Sequence, residues 1–580
     1  MVVGAAVSIN PMTSSRFLQS RWRLLVPALL GAVVFLLISG GEILNPAHIG
    51  WLTGGDPAQH FIGWHFFRHA PLLQSPMGAN KDFGMEIGSS IVYTDSLPLL
   101  AFLFKPFRGI LPEPFQYMGM WMLACFILQA VFAWKLIGKF SDDPWVQFFG
   151  TGFFTIAPPF LLRMHGHESL MAQWLILVAL LLYFGERWAP ARWLILLVIA
   201  SLVHAYLLLM VTSLWVTDQA TRILSRGIAW PRAALWGLGS LAALGLVMWQ
   251  TGYFMLAAGS LEGGGYGYYR MNLLSLFHAN GGWSVVFAND FLGPGDDEGF
   301  NFLGVGGLVL LVVAIAESLR DSSVWRGFRR FWPIAALAAI LTLYAVSNHP
   351  ALGSTELFTF PMPERIASLT GIFRASGRVF WPVFYLIYLG SMFVVATRFT
   401  PRKAAAILGF LFVLQIADCS QALGILHRKL NHQKPWVSSL RSPFWPEAAK
   451  RYKKIVYVPP YNVPKNYFDL SYFAASSGMS INVGAFARLD LEKLRRASEE
   501  QIQKISAGSF ADDSLYVFEQ HGTWETALAA LRQGDRAGAL DGFRILAPKC
   551  SQCATCLATG AFGPGGNRGA LVGLPVRHED

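Results

Sequence analysis

Read only for hydrophobic and polar positions, the chain is a succession of apolar runs separated by polar loops of very unequal length. The first run is Leu24 to Ser39. Others fall near Phe115–Ile137, Val146–Leu162, Leu170–Phe184, Ala233–Leu256, Phe302–Ala316, Phe331–Ser347, Val379–Ala396 and Ala404–Leu423. Trp193 to Thr217 reads as two short spans meeting at His204, because Arg192 flanks one end and Arg222 and Arg226 the other. The pattern predicts about eleven membrane spans. Between the first two spans, Gly54-Gly55 breaks the chain, Asp56 is placed to cap a helix, and Pro57 falls at its first position. That helix, Pro57 to Arg68, carries Phe61, Trp64, Phe66 and Phe67 and is expected to lie along the bilayer interface. Leu99 to Phe104 is apolar but too short to span. From about His427 the pattern becomes that of a soluble α/β domain. Strands are predicted at Lys454–Val458, Ser480–Phe486 and Ser514–Glu519, and helices at Leu491–Ser506 and Thr523–Gln533. The fold class is therefore an α-helical polytopic membrane protein, with interfacial helices in its first outer loop and a small C-terminal α/β domain. The domains are 1–426, 427–559 and a Gly-rich tail, 560–580, expected to be disordered.

Composition and charge refine this. Of 580 residues, 54% are hydrophobic and only 14% charged, against roughly 25% charged in soluble domains. The net charge of +11 does not imply nucleic acid, because Lys and Arg concentrate in the short loops assigned to the cytoplasm, such as Lys135, Lys139, Arg187, Arg192, Arg326, Arg329, Arg330, Arg398 and Arg402. This orientation puts the N-terminus inside and the C-terminal domain outside, which for a bacterial inner membrane is the periplasm. The first run follows Arg16, Arg21 and Arg23 like a signal peptide, yet has no convincing cleavage site and reads as a retained helix.

The candidate chemistry lies in the outer loops. They hold the carboxylates Asp56, Glu86, Asp95 and Glu168, the histidines His60, His65, His165 and His167, and the arginines Arg68, Arg374 and Arg378. Such a set suits a polar group carried on a lipid. Arg374 and Arg378, four residues apart, would share one face if helical and could clamp a phosphate. His165-Gly166-His167-Glu168 could bind a phosphate or a sugar hydroxyl in preference to a metal. Asp296-Asp297-Glu298 reads as a solvated acidic loop. Cys550, Cys553 and Cys556 lack a fourth nearby metal ligand, and one disulfide with a spare thiol fits an oxidising compartment.

Gly54-Gly55-Asp56-Pro57-Ala58-Gln59-His60-Phe61, Ser90 to Asp95 and Phe373 to Arg378 resemble a family of bacterial integral membrane proteins close to the GT-C superfamily of glycosyltransferases. The resemblance covers about Arg21 to Leu423. It implies a polyprenyl-phosphate sugar donor, an outer-loop carboxylate acting on the acceptor hydroxyl, and Asp56 in that position, with Glu86 and Asp95 next in line. It also implies a glycan, lipid or protein acceptor in the cell envelope. No Asp-x-Asp pair stands in the first outer loop, so no divalent metal or other cofactor is expected. The rival readings are a transporter or flippase, which should place its polar groups at mid-bilayer, membrane-bound acyl transfer through His167 or His204, and a non-catalytic scaffold for the C-terminal domain.

Overall fold

The computed structural model describes residues 21–256, 266–287, 293–321, 323 and 331–550. Arg326, Arg329, Arg330, Cys553, Cys556 and the tail 560–580 lie outside these residues. The chain is mostly helical, with an α/β domain at its C-terminal end. The helical part comprises α1 (Arg21–Ser39), α2 (Gly55–His69), α3 (Pro98–Phe104), α4 (Met118–Ile137), α5 (Pro144–Thr155), α6 (Pro158–Leu161), α7 (Trp174–Tyr183), α8 (Pro190–Val203), α9 (Ala205–Leu224), α10 (Trp230–Thr251), α11 (Gly304–Arg320), α12 (Trp332–Val346), α13 (Glu364–Gly371), α14 (Trp381–Arg398), α15 (Pro401–Asp418) and α16 (Ser420–Leu430). Proline sets several starts: Pro98, Pro144, Pro158, Pro190 and Pro401 each open a helix, where the missing N–H costs no intrahelical bond.

Among the described residues, three helices are long and apolar enough to cross a membrane: α4, α10 and Ser376–Arg398, which contains α14. Counting the bent pairs Pro144–Thr155 with Pro158–Met164 (46°) and α15 with α16 (57°) as single spans makes five. α10 argues most directly for lipid. Its Leu235, Leu238 and Leu246 are 71%, 69% and 58% exposed, a surface that water would not favour on one whole helix. α8 and α9 separate at His204, whose Nδ1 accepts the Tyr206 backbone N–H at 3.1 Å and so caps α9.

α2 departs from the sequence reading in two ways. Asp56 is not its cap: the helix begins at Gly55, Gly54 holds the cap position without a side-chain bond, and Asp56 lies in the first turn. Nor does α2 lie on a lipid surface, since every residue from Pro57 to Arg68 is buried. Its aromatic residues pack into protein instead. Trp64 donates its indole N–H to the Phe115 carbonyl at 3.0 Å, and Phe61 stacks on Phe468 of the C-terminal domain with centroids 6.0 Å apart.

The loop after α12 holds a short hairpin, β1 (Ala351–Leu352) and β2 (Thr355–Glu356). The C-terminal domain contains α17 (Phe444–Arg451), β3 (Lys454–Val458), α18 (Tyr467–Ser476), β4 (Ser480–Ile481), α19 (Leu491–Ser506), β5 (Ser514–Phe518), α20 (His521–Ala529), β6 (Arg536–Leu540) and β7 (Phe543–Ala547). Its sheet order is β4-β3-β5-β7-β6, with β4, β3 and β5 parallel, β7 antiparallel to β5, and β6 antiparallel to β7. The predicted strand Ser480–Phe486 shrinks to two residues, and the closing hairpin was not predicted because Gly538 and Gly542 mask its alternation. The domain docks on the first long loop through backbone bonds. The Ile481 N–H donates to the Asp82 carbonyl and the Gly84 N–H to the Ile481 carbonyl, both at 2.8 Å, so the loop adds to the free edge of β4. Ser480 Oγ donates to Asp82 Oδ1 at 2.7 Å, and the Ala487 N–H to the Tyr93 carbonyl at 2.8 Å. The C-terminal domain and the Asp56 loop therefore share one face of the molecule.

Candidate active site

Asp56 stands in the first turn of α2, where free backbone N–H groups favour a negative charge. Its Oδ2 is 2.8 Å from His167 Nδ1, while Oδ1 has no hydrogen-bond partner among the described residues. His167 reaches it from the turn after α6. Gly166 (φ +96°) and His167 (φ +61°) are both left-handed there, and a Cβ on Gly166 would sit 3.6 Å from Asp56 Oδ2. Glycine is suited to this position by its left-handed backbone, and the added Cβ would make only an ordinary contact.

The other face of the imidazole meets a second carboxylate: His167 Nε2 is 3.4 Å from Glu298 Oε1. Glu298 is gripped by two guanidinium groups. Arg378 donates through Nε at 2.7 Å and Nη2 at 2.6 Å, a bidentate fork, and Arg163 Nη2 lies at 2.9 Å. A close backbone crossing allows this: a Cβ on Gly377 would lie 2.3 Å from Gly299 Cα, so only glycine lets the two segments meet. The result is a line of alternating charge, Asp56, His167, Glu298 and then Arg163 with Arg378. The two cations also stack on rings, Arg163 over Trp381 (5.6 Å) and Arg378 over Tyr206 (5.1 Å).

Electrostatics follow from this order. Burial pushes the Glu298 carboxyl up, but Arg163, Arg378 and the His167 bond together hold it well below the usual carboxylate range. Burial and Arg378 push His167 down, yet its bonds to Asp56 and Glu298 win and raise it above the ordinary histidine value. A neutral imidazole could donate to one carboxylate only, whereas the imidazolium donates to both. Asp56 is also pushed up by burial, and the His167 bond and charge reverse this, leaving it lowered. Asp56 is thus an ionised carboxylate, half-exposed, with one oxygen anchored and one open.

A second pair stiffens the site. His60 Nδ1 is 2.6 Å from Glu168 Oε2, both buried, and the Glu168 carbonyl accepts the Trp121 indole N–H at 3.0 Å. This fastens α2 to the turn that carries His167. Asp95, in a left-handed conformation, lies 3.5 Å from His204 Nε2.

Several sequence candidates fall elsewhere. Arg68 donates to the carbonyls of Pro112, Arg108 and Leu111 and pairs with Glu113 at 3.0 Å, so it holds a loop. His65 is buried on the opposite side of α2, stacked on Tyr472 at 4.5 Å, and burial beside His69 and Arg68 pushes it well below the ordinary value. With His69 and Glu113 it brings three ligand-type atoms within 4.8 Å of one another, although Arg68 already neutralises that carboxylate. His165 is exposed, and Glu86 is exposed on the loop beside α19. Arg374 and Arg378 do not form a clamp on one helical face, since Arg374 precedes the 3-10 turn Ser376–Phe380 and Arg378 is committed to Glu298. Nor is Asp296-Asp297-Glu298 a solvated loop: Asp296 is buried against Arg270 and Asn272, and only Asp297 is exposed. Glu298 was therefore missed; its signal was a lone acidic triplet opposite two loops each carrying arginine.

Together these features define a helical membrane protein with an acid–imidazole–acid line at one end and an α/β domain docked beside it. The chain belongs to the DUF6311 family: the model of this domain of unknown function matches residues 28–420, and that of the DUF6311 C-terminal domain matches 444–548. No curated protein matches it. Among solved structures it is similar to the archaeal oligosaccharyltransferase AglB from Archaeoglobus fulgidus in complex with an inhibitory peptide and a dolichol-phosphate. That similarity has 9% identity and a TM-score of 0.39 over 86% of this chain and 69% of that chain. An Archaeoglobus fulgidus oligosaccharyltransferase tethered to an acceptor peptide with the NVT sequon gives 11% identity and a TM-score of 0.38 over 87% and 69%. Both scores lie below 0.5, and the functional reading of this chain rests on its own site.

Proposed function

We propose that the protein is a GT-C-type glycosyltransferase of the bacterial inner membrane, with about eleven spans. It takes a monosaccharide from a polyprenyl-phosphate carrier and gives it to an envelope glycan, lipid or protein on the periplasmic side. The observation that carries this reading is Asp56: an ionised carboxylate with one anchored and one open oxygen, at the mouth of a site rich in arginine. In such a transfer the sugar–phosphate C–O bond breaks, and the phosphate oxygen keeps the electron pair. The acceptor hydroxyl then bonds to the sugar carbon and gives its proton to Asp56. A carboxylate of lowered pKa is a weak base towards a resting hydroxyl, but it suffices when proton transfer comes late, against an oxocarbenium-like carbon. His167 and Glu298 hold Asp56 in place and keep it charged. A transporter would be expected to place such groups in broken helices at mid-bilayer, whereas these sit on the face shared with the C-terminal domain.

The test is Asp56→Asn in purified protein, with polyprenyl-phosphate sugars as donors and release of polyprenyl phosphate as the readout. Asn preserves the size of the side chain and removes the base, so turnover should fall by roughly two to four decades while donor binding persists. Near-normal turnover would remove Asp56 from the base position and leave Asp95, on its His204 contact, as the next candidate.

A further inference from the structure

The arginine expected to pair with Arg374 is not Arg378, which Glu298 occupies on both faces of its carboxylate. Another cation takes that place, and it comes from the C-terminal domain. Arg488 follows the segment that docks on the first outer loop, where the Ala487 N–H donates to the Tyr93 carbonyl. Arg488 Nη2 donates to the Ile372 carbonyl, two residues before Arg374. The Arg374 guanidinium lies over the Tyr269 ring at 5.5 Å. The Ala375 N–H donates to Tyr206 Oη at 2.7 Å, which fixes the segment between them. Arg488 is close enough to Arg374, Arg378 and Asp95 to feel the charge of each.

The charges here do not cancel. Both arginines are half-buried, and neither has a carboxylate partner among the described residues. Glu298 serves Arg163 and Arg378, and Asp95 serves His204. Two half-buried guanidinium groups held near each other repel in a medium less polar than water, and an anion between them relieves the repulsion. Planar guanidinium groups match phosphate oxygens in geometry as well as charge. We infer that Arg374 and Arg488 form an anion subsite across the domain boundary, which seats the phosphate of the lipid-linked donor. This inference rests on the glycosyltransferase reading for its lipid, though not for its anion. The donor is a phosphodiester with one negative charge, and the lipid phosphate released is a monoester with nearly two. A doubly cationic subsite therefore binds the leaving group more tightly than the donor, which favours the bond-breaking step.

The test measures binding without chemistry, using a short-chain polyprenyl phosphate and inorganic phosphate as separate probes on the full-length protein in detergent. Arg488→Gln should weaken polyprenyl phosphate binding roughly 10- to 100-fold, the usual worth of a charge-assisted bond. Arg488→Lys should lose less, and Asp56→Asn should bind like wild type. Wild-type affinity in Arg488→Gln overturns the subsite and leaves the glycosyltransferase reading standing. If inorganic phosphate binds and is lost in Arg488→Gln, while the lipid phosphate never binds, the subsite survives and the lipid donor is excluded. Should Arg488→Gln fail to fold, Arg374→Gln carries the same expectation, and unchanged lipid phosphate binding there overturns the inference equally.

Discussion

Replacing Glu298 by Gln removes the one negative charge that joins His167, Arg163 and Arg378. The side chain is only 16% exposed, and Arg163 and Arg378 are 6% and 8% exposed. Gln can accept from one guanidinium but cannot neutralise two. Breaking a buried ion pair by removing one partner costs about 3–5 kcal/mol. The lower end applies here, because Glu298 retains some access to water and its replacement keeps one acceptor. An expected loss of about 3 kcal/mol corresponds, over a chain of 580 residues, to a fall in thermal midpoint on the order of 2–3 °C. Unfolding of a chain with many helices and a separate domain is not two-state, so the midpoint should be read against a control, not converted. Asp297→Asn is that control: it changes the net charge equally, one residue away, at an exposed position, and should shift the midpoint by less than about 1 kcal/mol would. Arg378→Met combined with Glu298→Gln should recover part of the loss, because the orphaned cation is gone as well. Equal midpoints for Glu298→Gln and Asp297→Asn would refute the network as a source of stability.

Two further expectations follow from the same geometry. His167 has a raised folded pKa, so its contribution to stability is complete below the ordinary histidine value near 6.5 and is lost as pH rises through the higher folded value. Thermal stability should therefore decline above neutral pH, and the decline should vanish in His167→Gln; a variant with the same pH slope as wild type would show that another group titrates. For topology, a reporter active only in the periplasm should work when fused after Asp82 and also after Lys549. Activity at one site and silence at the other would contradict the docking of Asp82 on Ser480.

Much of this architecture was legible in the chain, and its failures have specific physical causes. Apolar runs marked the helices of the membrane part, including the separation at His204, whereas the bend at Pro158 falls inside Val146–Leu162, which the pattern gives as one span. The α2 aromatics misled because burial between two protein layers and burial at a lipid surface leave the same composition. Helical periodicity also separates the two histidines of α2. At about 100° per residue, His60 lies about 40° from Asp56 around α2, whereas His65 lies about 180° away. The structure agrees, with His60 beside the Asp56 turn and His65 under Tyr472. Spacing arguments also assume an element: Arg374 and Arg378 share a face only on a helix, and the chain there is a coil entering a 3-10 turn. Glu298 and Arg488 could not be found by any local rule. Their partners lie in other loops, from Arg163 to Arg378 in one case and at Ile372 in the other.

The docked domain constrains the membrane topology in a way that hydropathy alone does not. Residues 82–84 lie after α1, and Ile481 lies after α16, yet the two segments exchange backbone hydrogen bonds at 2.8 Å. Both must then be on one side of any membrane the helices cross. The chain between them therefore crosses an even number of times, and with α1 as a span the total is odd. This parity is independent of the lysine and arginine counts, which supply the orientation, and of how the bent pairs are divided. An even total would require α1 to lie outside the membrane. Leu29 and Leu37, at 62% and 72% exposed on the outer side of α1, speak against that, because an apolar surface of this kind is favourable in lipid and not in water.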